Sequence, residues 1–283
     1  MQSPPDLFDA DLLALRRARA TRMRSTNDFL REAVADEVAE RITEVNRTFR
    51  HAALIGPRPD IWTPKLREAG VGEITAYADG DALGLSDGAF DLVVHAMALH
   101  WSNDPVGQLV QARHALKPDG LLLCTFFGGQ TLHELRTSLA EAEAAITGGL
   151  SPRIAPMGEI RDLGALLQRA GLALPVADST PLTVSYANAF HLMHDLRKMG
   201  EGNALTQRIK HATRRNILTE AASIYADNFS NEDNRVDATF EIITLTGWAP
   251  AKNQPQPLRP GSAKTRLADA LGTKETPLNK SND

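Results

Sequence analysis

Three short stretches carry residues whose types and spacing could do chemistry. In "HAALIGPRPD" (51–60) an apolar run breaks at Gly56 into Pro57, Arg58, Pro59 and Asp60. A strand that turns into a helix through a glycine is where a nucleotide meets backbone N–H groups, provided small residues let it approach. Here Arg58 and Asp60 stand where two further glycines are expected. Two prolines also fix φ and remove two amide donors. The second stretch, "YADGDALGL" (77–85), places Asp79 about 20 residues after Gly56, the separation of a ribose-binding acid, with Asp81 and Leu83 beside it. The third, "LHW" (99–101), puts His100 and Trp101 just beyond the apolar run "FDLVV". That is the edge where ligands sit in open α/β sheets, and an imidazole there is the best candidate for a general base.

Other residues invite chemistry and read more simply as structure. The single cysteine, Cys124, lies in "LLLCTFFGG" and reads as a buried strand residue. His191 and His194 stand three apart beside Asp195, without a second cluster at ligand spacing to make a metal site. Tyr77, Tyr186 and Tyr225 form no pattern.

The elements that must position these residues alternate. Two amphipathic helices are expected over 8–24 and 26–42, the second with Phe29, Ala33, Val34, Val38 and Ile42 on one face and Asn27 or Asp28 as its cap. A strand ("AALIG"), a helix ("DIWTPKLREAG") and a second strand ("GEITAYAD") form a βα unit. "FDLVV" suits a strand buried on both faces, a helix follows over 106–116, "KPDG" reads as a turn, and "LLLCTFF" as the next strand. Helices cover "TLHELRTSLAEAEAAI", "EIRDLGALLQRAG", "ANAFHLMHDLRKMG" and "TRRNILTEAASIYADNF", and "ATFEIITLTGW" is the last strand. The fold class is α/β, a doubly wound sheet with N-terminal helices. The expected organisation is a helical segment over 1–50, an α/β domain over 51–250 and a loosely held tail over 251–283.

The chain has 283 residues, 42% of them hydrophobic, enough for a substantial core. A net charge of −4 gives no global attraction to nucleic acid or anionic lipid. No apolar run approaches the ~20 residues needed to span a bilayer. The Arg-rich stretch "LLALRRARATRMR" is interrupted by acids upstream and reads as part of the mature protein in a reducing compartment.

Taken with "LKPDG" (116–120), "FGGQTLHELR" (127–136), "SPRIAP" (151–156), "DLGALLQRAG" (162–171), "DLRKMGEGNAL" (195–205) and "RPGSA" (259–263), the sequence resembles the class I S-adenosylmethionine-dependent methyltransferases. Within them it is similar to the complex I assembly factor 5 family, reported to hydroxylate an arginine in a complex I subunit. The resemblance implies a Rossmann-like doubly wound sheet, S-adenosylmethionine as cofactor and a protein client, a respiratory complex I subunit. It also implies cytoplasmic residence, peripheral to the inner membrane, or the mitochondrial matrix in a eukaryote.

Two departures stand against it. The family's Gly-x-Gly-x-Gly turn survives only at Gly56. The family also places two βα units between its first and fourth strands, whereas Leu54 to Asp91 has room for one unit of roughly 30 residues. Asp79 therefore aligns either with the ribose acid or with the later adenine-side segment. For methyl transfer, His100 would accept the proton and Trp101 could lie against the sulfonium. Thr131 is a candidate helix cap, and Glu134 and Arg136 are candidates for the cleft mouth. Two functions remain open: a divergent transferase or hydroxylase, and a non-catalytic assembly or chaperone factor that binds its client through the "FGGQTLHELR" to "GEGNAL" face. A Rossmann dehydrogenase fits poorly, because the glycine loop is missing and "LKPDG" belongs to the methyltransferase pattern.

Overall fold

The computed structural model describes residues 5–23, 28–255, 269, 272 and 273. Chain contacts divide it into two compact units, Met1–Pro250 and Ala251–Asp283. The motif "RPGSA" and the cap candidate Asn27 lie outside the described residues. Among described residues no helix is long and apolar enough to cross a membrane.

The first unit is built on a six-stranded sheet of order β2-β1-β3-β4-β6-β5. Its strands are β1 (His51–Ile55), β2 (Glu73–Tyr77), β3 (Phe90–Ala96), β4 (Leu116–Gly128), β5 (Ala173–Tyr186) and β6 (Val236–Trp248). The first four pair in parallel, and β6 runs antiparallel to both β4 and β5. Helices α1 (Ala10–Arg22), α2 (Phe29–Glu44), α3 (Pro59–Glu68), α4 (Pro105–Ala115), α5 (His133–Thr147), α6 (Ile160–Arg169), α7 (Ala189–Met199) and α8 (Arg215–Phe229) complete the unit.

Parallel strands covered on both faces need apolar residues at every position, and "LVV" of β3 supplies them: Leu92, Val93 and Val94 are fully buried. Leu92 and Val94 enter one core layer with Leu30, Val34, Val38 and Ile42 of α2, while Val93 enters the opposite layer with Leu109 and Ala112 of α4. The buried face of α2 keeps Val34, Val38 and Ile42 of the expected set, but Ala33 is exposed and Phe29 half-buried, and Leu30, Arg31 and Ala35 complete it instead. Cys124 is buried between its strand neighbours, and burial pushes its thiol pKa up, so it is an inert core residue.

A single βα unit separates β1 from β3. Residues 78–89 carry the chain from β2 to β3 with neither helix nor strand, which leaves β2 at the sheet edge, largely exposed. Two local readings change. "KPDG" is not a turn between elements but a bulge inside β4, where pairing with β3 jumps from Phe90–Leu116 to Leu92–Leu121 and Asp119 takes a left-handed φ of 65°. The long strand β5 went unread because Pro175 and Pro181 interrupt its pattern; both are tolerated because β5 is an edge strand.

Candidate functional site

At the carboxyl end of β1 the backbone turns at Gly56 with φ +129°, and a Cβ there would fall on the carbonyl oxygen of Ala96 in β3. The glycine is required by strand packing, whatever ligand the turn meets. Arg58 follows in a left-handed conformation (φ 59°), and Pro59 opens α3. The Arg58 guanidinium does not point to open space: it bonds Asp60 (3.0 and 2.9 Å) and Asp28. Asp28 sits at the N-cap position of α2, yet its carboxylate accepts from Arg58 and Arg31 rather than from the helix backbone.

Asp79 lies two residues past β2, at the strand's carboxyl end, where a ribose would be held. Its two oxygens accept from Nη1 of Arg17 on α1 at 2.8 and 2.6 Å, in a partly buried pair. The other donors of Arg17, Nε and Nη2, are buried without a partner among the described residues. Asp81 is exposed, and its carbonyl accepts from Gln111 (2.7 Å). Leu83 is buried in the core layer of α4, and its amide donates to Gln111 Oε1 (2.9 Å). Behind them, Gln108 donates to the Gly80 carbonyl (2.9 Å) and accepts from buried His95 (2.8 Å). Burial pushes the His95 pKa down, so its ring stays neutral and pins this loop from inside the sheet.

His100 and Trp101 sit in a short 3-10 turn, Leu99–Trp101, after β3. Both converge on one carboxylate. His100 Nε2 lies 3.1 Å and Trp101 Nε1 2.6 Å from Glu201 Oε2, while Arg31 Nη2 bonds Glu201 Oε1 at 2.9 Å and the Met199 carbonyl at 2.7 Å. Burial alone would raise the Glu201 pKa; the bond from His100 and the charge of Arg31 outweigh it and hold the group down at about 2. A carboxylate acceptor requires a proton on His100 Nε2. The other ring nitrogen, Nδ1, is buried and unbonded among the described residues. Trp101 packs edge-on against Phe8, 5.1 Å between centroids, and its ring is mostly covered. The N-terminal segment is fastened there as well, because the Phe8 amide donates to Asn103 Oδ1 (2.9 Å) and Phe8 bridges to Leu205.

A continuous chain of bonds thus runs His100, Glu201, Arg31, Asp28, Arg58, Asp60, linking the turn after β1 to the turn after β3. On one side of it a cavity of about 330 Å³ opens, with His100, Trp101, Phe127, Glu201 and Phe240 in its wall. That volume suits a small molecule or one long side chain. On the other side, between Arg17, Arg31, Pro57, Arg58 and Met199, only about 50 Å³ is open.

The structure therefore brings His100 and Trp101 together at one cavity. It leaves Gly56, Asp79, Asp81 and Leu83 apart from that cavity and engaged with protein groups. Of the two residues expected at the cleft mouth, Glu134 is turned into the fold, whereas Arg136 lines a second cavity that shares Pro152 and Ile154 with the first. Glu134 is buried and accepts from Thr239 (3.0 Å to its amide), and Arg136 donates to the Ala155 carbonyl (3.3 Å). Thr131 bonds the Gly128 carbonyl (2.7 Å) instead of capping α5. His191 is held by Asn188 (3.1 Å), and among described residues no group of three or more His, Cys, Asp or Glu is placed to hold a metal. The residues that sequence reasoning missed are Arg17, Arg31 and Glu201. The two arginines gave no signal of their own, and that of Glu201 was the "GEGN" stretch, whose partner His100 lies 101 positions away.

A family model described as a methyltransferase domain matches residues 59–124. The mitochondrial arginine-hydroxylase NDUFAF5 of Danio rerio is 37% identical over 266 residues, covering 87% of this chain and 83% of the relative. That of Homo sapiens is 35% identical over 287 residues, covering 93% and 83%. A malonyl acyl-carrier-protein O-methyltransferase of Xylella fastidiosa is 34% identical over 174 residues, covering 62% of this chain and 57% of the enzyme.

Proposed function

The chain belongs to the arginine-hydroxylase NDUFAF5 family, and from that membership we propose that it modifies an arginine side chain of a protein client, a subunit of respiratory complex I. The proposed setting is the mitochondrial matrix in a eukaryote, and otherwise the cytoplasmic face of the inner membrane. The observation that carries the reading is the His100–Glu201 pair in the wall of the 330 Å³ cavity. Glu201 fixes the ring through Nε2 and leaves Nδ1 without a partner among the described residues, and a ring held this way in the cavity wall is the candidate proton acceptor. Trp101 orients Glu201 through its indole N–H.

We read the nucleotide side as closed to S-adenosylmethionine in this arrangement. Arg17 covers Asp79, Pro57 and Pro59 offer no amides, and 50 Å³ is far below the ~300 Å³ of a ligand pocket. Gly56, Asp81 and Leu83 serve the fold here, and Asp79 becomes a ribose acceptor only if α1 withdraws Arg17. Titration calorimetry of the ligand-free protein with S-adenosylmethionine is expected to give no micromolar binding, and micromolar heat would overturn this reading of the turn.

The closed side also favours a second reading, an assembly or chaperone role without catalysis. A strain lacking the gene and complemented with variants separates the two. With the wild-type chain, and with dioxygen and a two-electron reductant supplied by the cell so that the second oxygen leaves as water, mass spectrometry of complex I subunits should show an arginine carrying one added oxygen, and His100→Ala should lose that oxygen. If His100→Ala restores both complex I and the modification, the proposed role of the cavity is wrong. If complex I is restored and no arginine is ever modified, the non-catalytic reading replaces it.

A further inference from the structure

The mouth of the cavity holds more positive charge than the protein neutralises. Arg16, Arg153, Arg197 and Arg208 all line it. Arg153 is spent on Glu143 (2.6 Å) and Thr213 (2.8 Å), and Arg208 on Asp9 (3.0 Å). The guanidinium groups of Arg16 and Arg197 have no hydrogen bond or ion pair among the described residues. Two carboxylates are close by but already engaged: Glu201 in the wall accepts from Arg31, His100 and Trp101, and Asp9, whose charge acts on Arg16, is paired with Arg208.

Arg16 is the less ordinary of the two. It is partly buried, and its guanidinium lies against Gly202, where a Cβ would displace it. Burial first, then repulsion from Arg208, Arg19 and Arg197, depresses its pKa. A half-buried cation among like charges is unfavourable in the empty protein and becomes favourable when an anion arrives.

We propose that Arg16, with Arg197 beside it, is an anion subsite at the cavity mouth, and that the cavity's ligand brings a carboxylate or phosphate group to it. The inference concerns the cavity of the reading above but stands without it. It also narrows the ligand: a bare guanidinium entering would meet like charge, whereas one delivered next to a carboxylate, or after a small organic acid has bound, would not. Both sources share the same chemistry.

Thermal unfolding of the full chain tests it, with sodium chloride at matched ionic strength as the control. The probes are malonate, inorganic phosphate, and the peptide pair Gly-Arg-Gly-Glu-Gly and Gly-Arg-Gly-Gln-Gly. At ten times the dissociation constant, a binding anion should raise the midpoint by about 3 °C over chloride. Arg16→Gln, which forfeits no bond, should fold with an unchanged or higher midpoint and lose that shift; Arg197→Gln should reduce it. A shift with malonate or phosphate identifies a free anion as the source, and one confined to the glutamate peptide identifies the client. No shift with any probe, or an undiminished shift in Arg16→Gln, overturns the proposal.

Discussion

Glu201→Gln is expected to destabilise the fold by about 3 kcal/mol in urea unfolding at neutral pH and to flatten its response to acid. The carboxylate is buried, as is Arg31, and it receives three donors, from Arg31, His100 and Trp101. An amide can accept from one side only and turns its own N–H toward a donor on the other, so a cation is left buried and underpaired. The same carboxylate sets a pH dependence. Its folded pKa, at about 2, lies below the ordinary 4.5, so its contribution is fully present above pH 4.5 and is lost as pH falls toward 2. That shift corresponds to about 3 kcal/mol. The wild-type chain should lose this much stability across the window and the variant should not. Parallel acid curves for the two would mean that Glu201 is not the group holding the network.

Gly56→Ala should be nearly as damaging, by about 3 kcal/mol, and for a reason unconnected to any ligand. A side chain there has to adopt φ +129° and press on the Ala96 carbonyl, which belongs to the neighbouring strand β3. Neither the turn nor β3 can move far, because β1 and β3 are paired from Ala52 to Ile55. Measured unfolding should show the loss in ligand-free protein. A variant that unfolds like the wild type, yet has lost a measurable affinity for S-adenosylmethionine, would instead show that the glycine exists for the cofactor.

Much of the scaffold was legible because it obeys local rules. "LVV" announces a doubly covered strand, Pro59 and Asp60 open a helix, and the face of α2 repeats at three and four. The shortage of residues between Leu54 and Asp91 correctly foretold a single βα unit. Local rules fail where tertiary neighbours decide. "KPDG" has turn chemistry, but pairing with β3 on both sides stretches it into a bulge. Pro175 and Pro181 argue against a strand until one knows that the strand lies at an edge. The site was legible only in half. His100 and Trp101 could be placed from the strand before them, but Glu201 lies in a glycine-rich loop with no periodicity, and only folding carries it to His100. The Arg-rich stretch of α1 read only as part of the mature protein, although Arg17 covers the acid that sequence spacing had marked for a ribose.

The bond between Arg31 and Glu201 spans 170 positions of the chain, and the bridge from Phe8 to Leu205 spans still more. During synthesis the N-terminal helices therefore leave the ribosome long before their permanent partners exist. At ordinary elongation rates the interval is roughly 10–30 s. For that time Leu30, Val34 and the charged Arg31 wait beside each other, and α2 can rest on α3 but cannot lock. Closure of the network around His100 must wait for Glu201, so a nascent chain that has not yet reached that residue would lack the ordered imidazole that the finished protein presents.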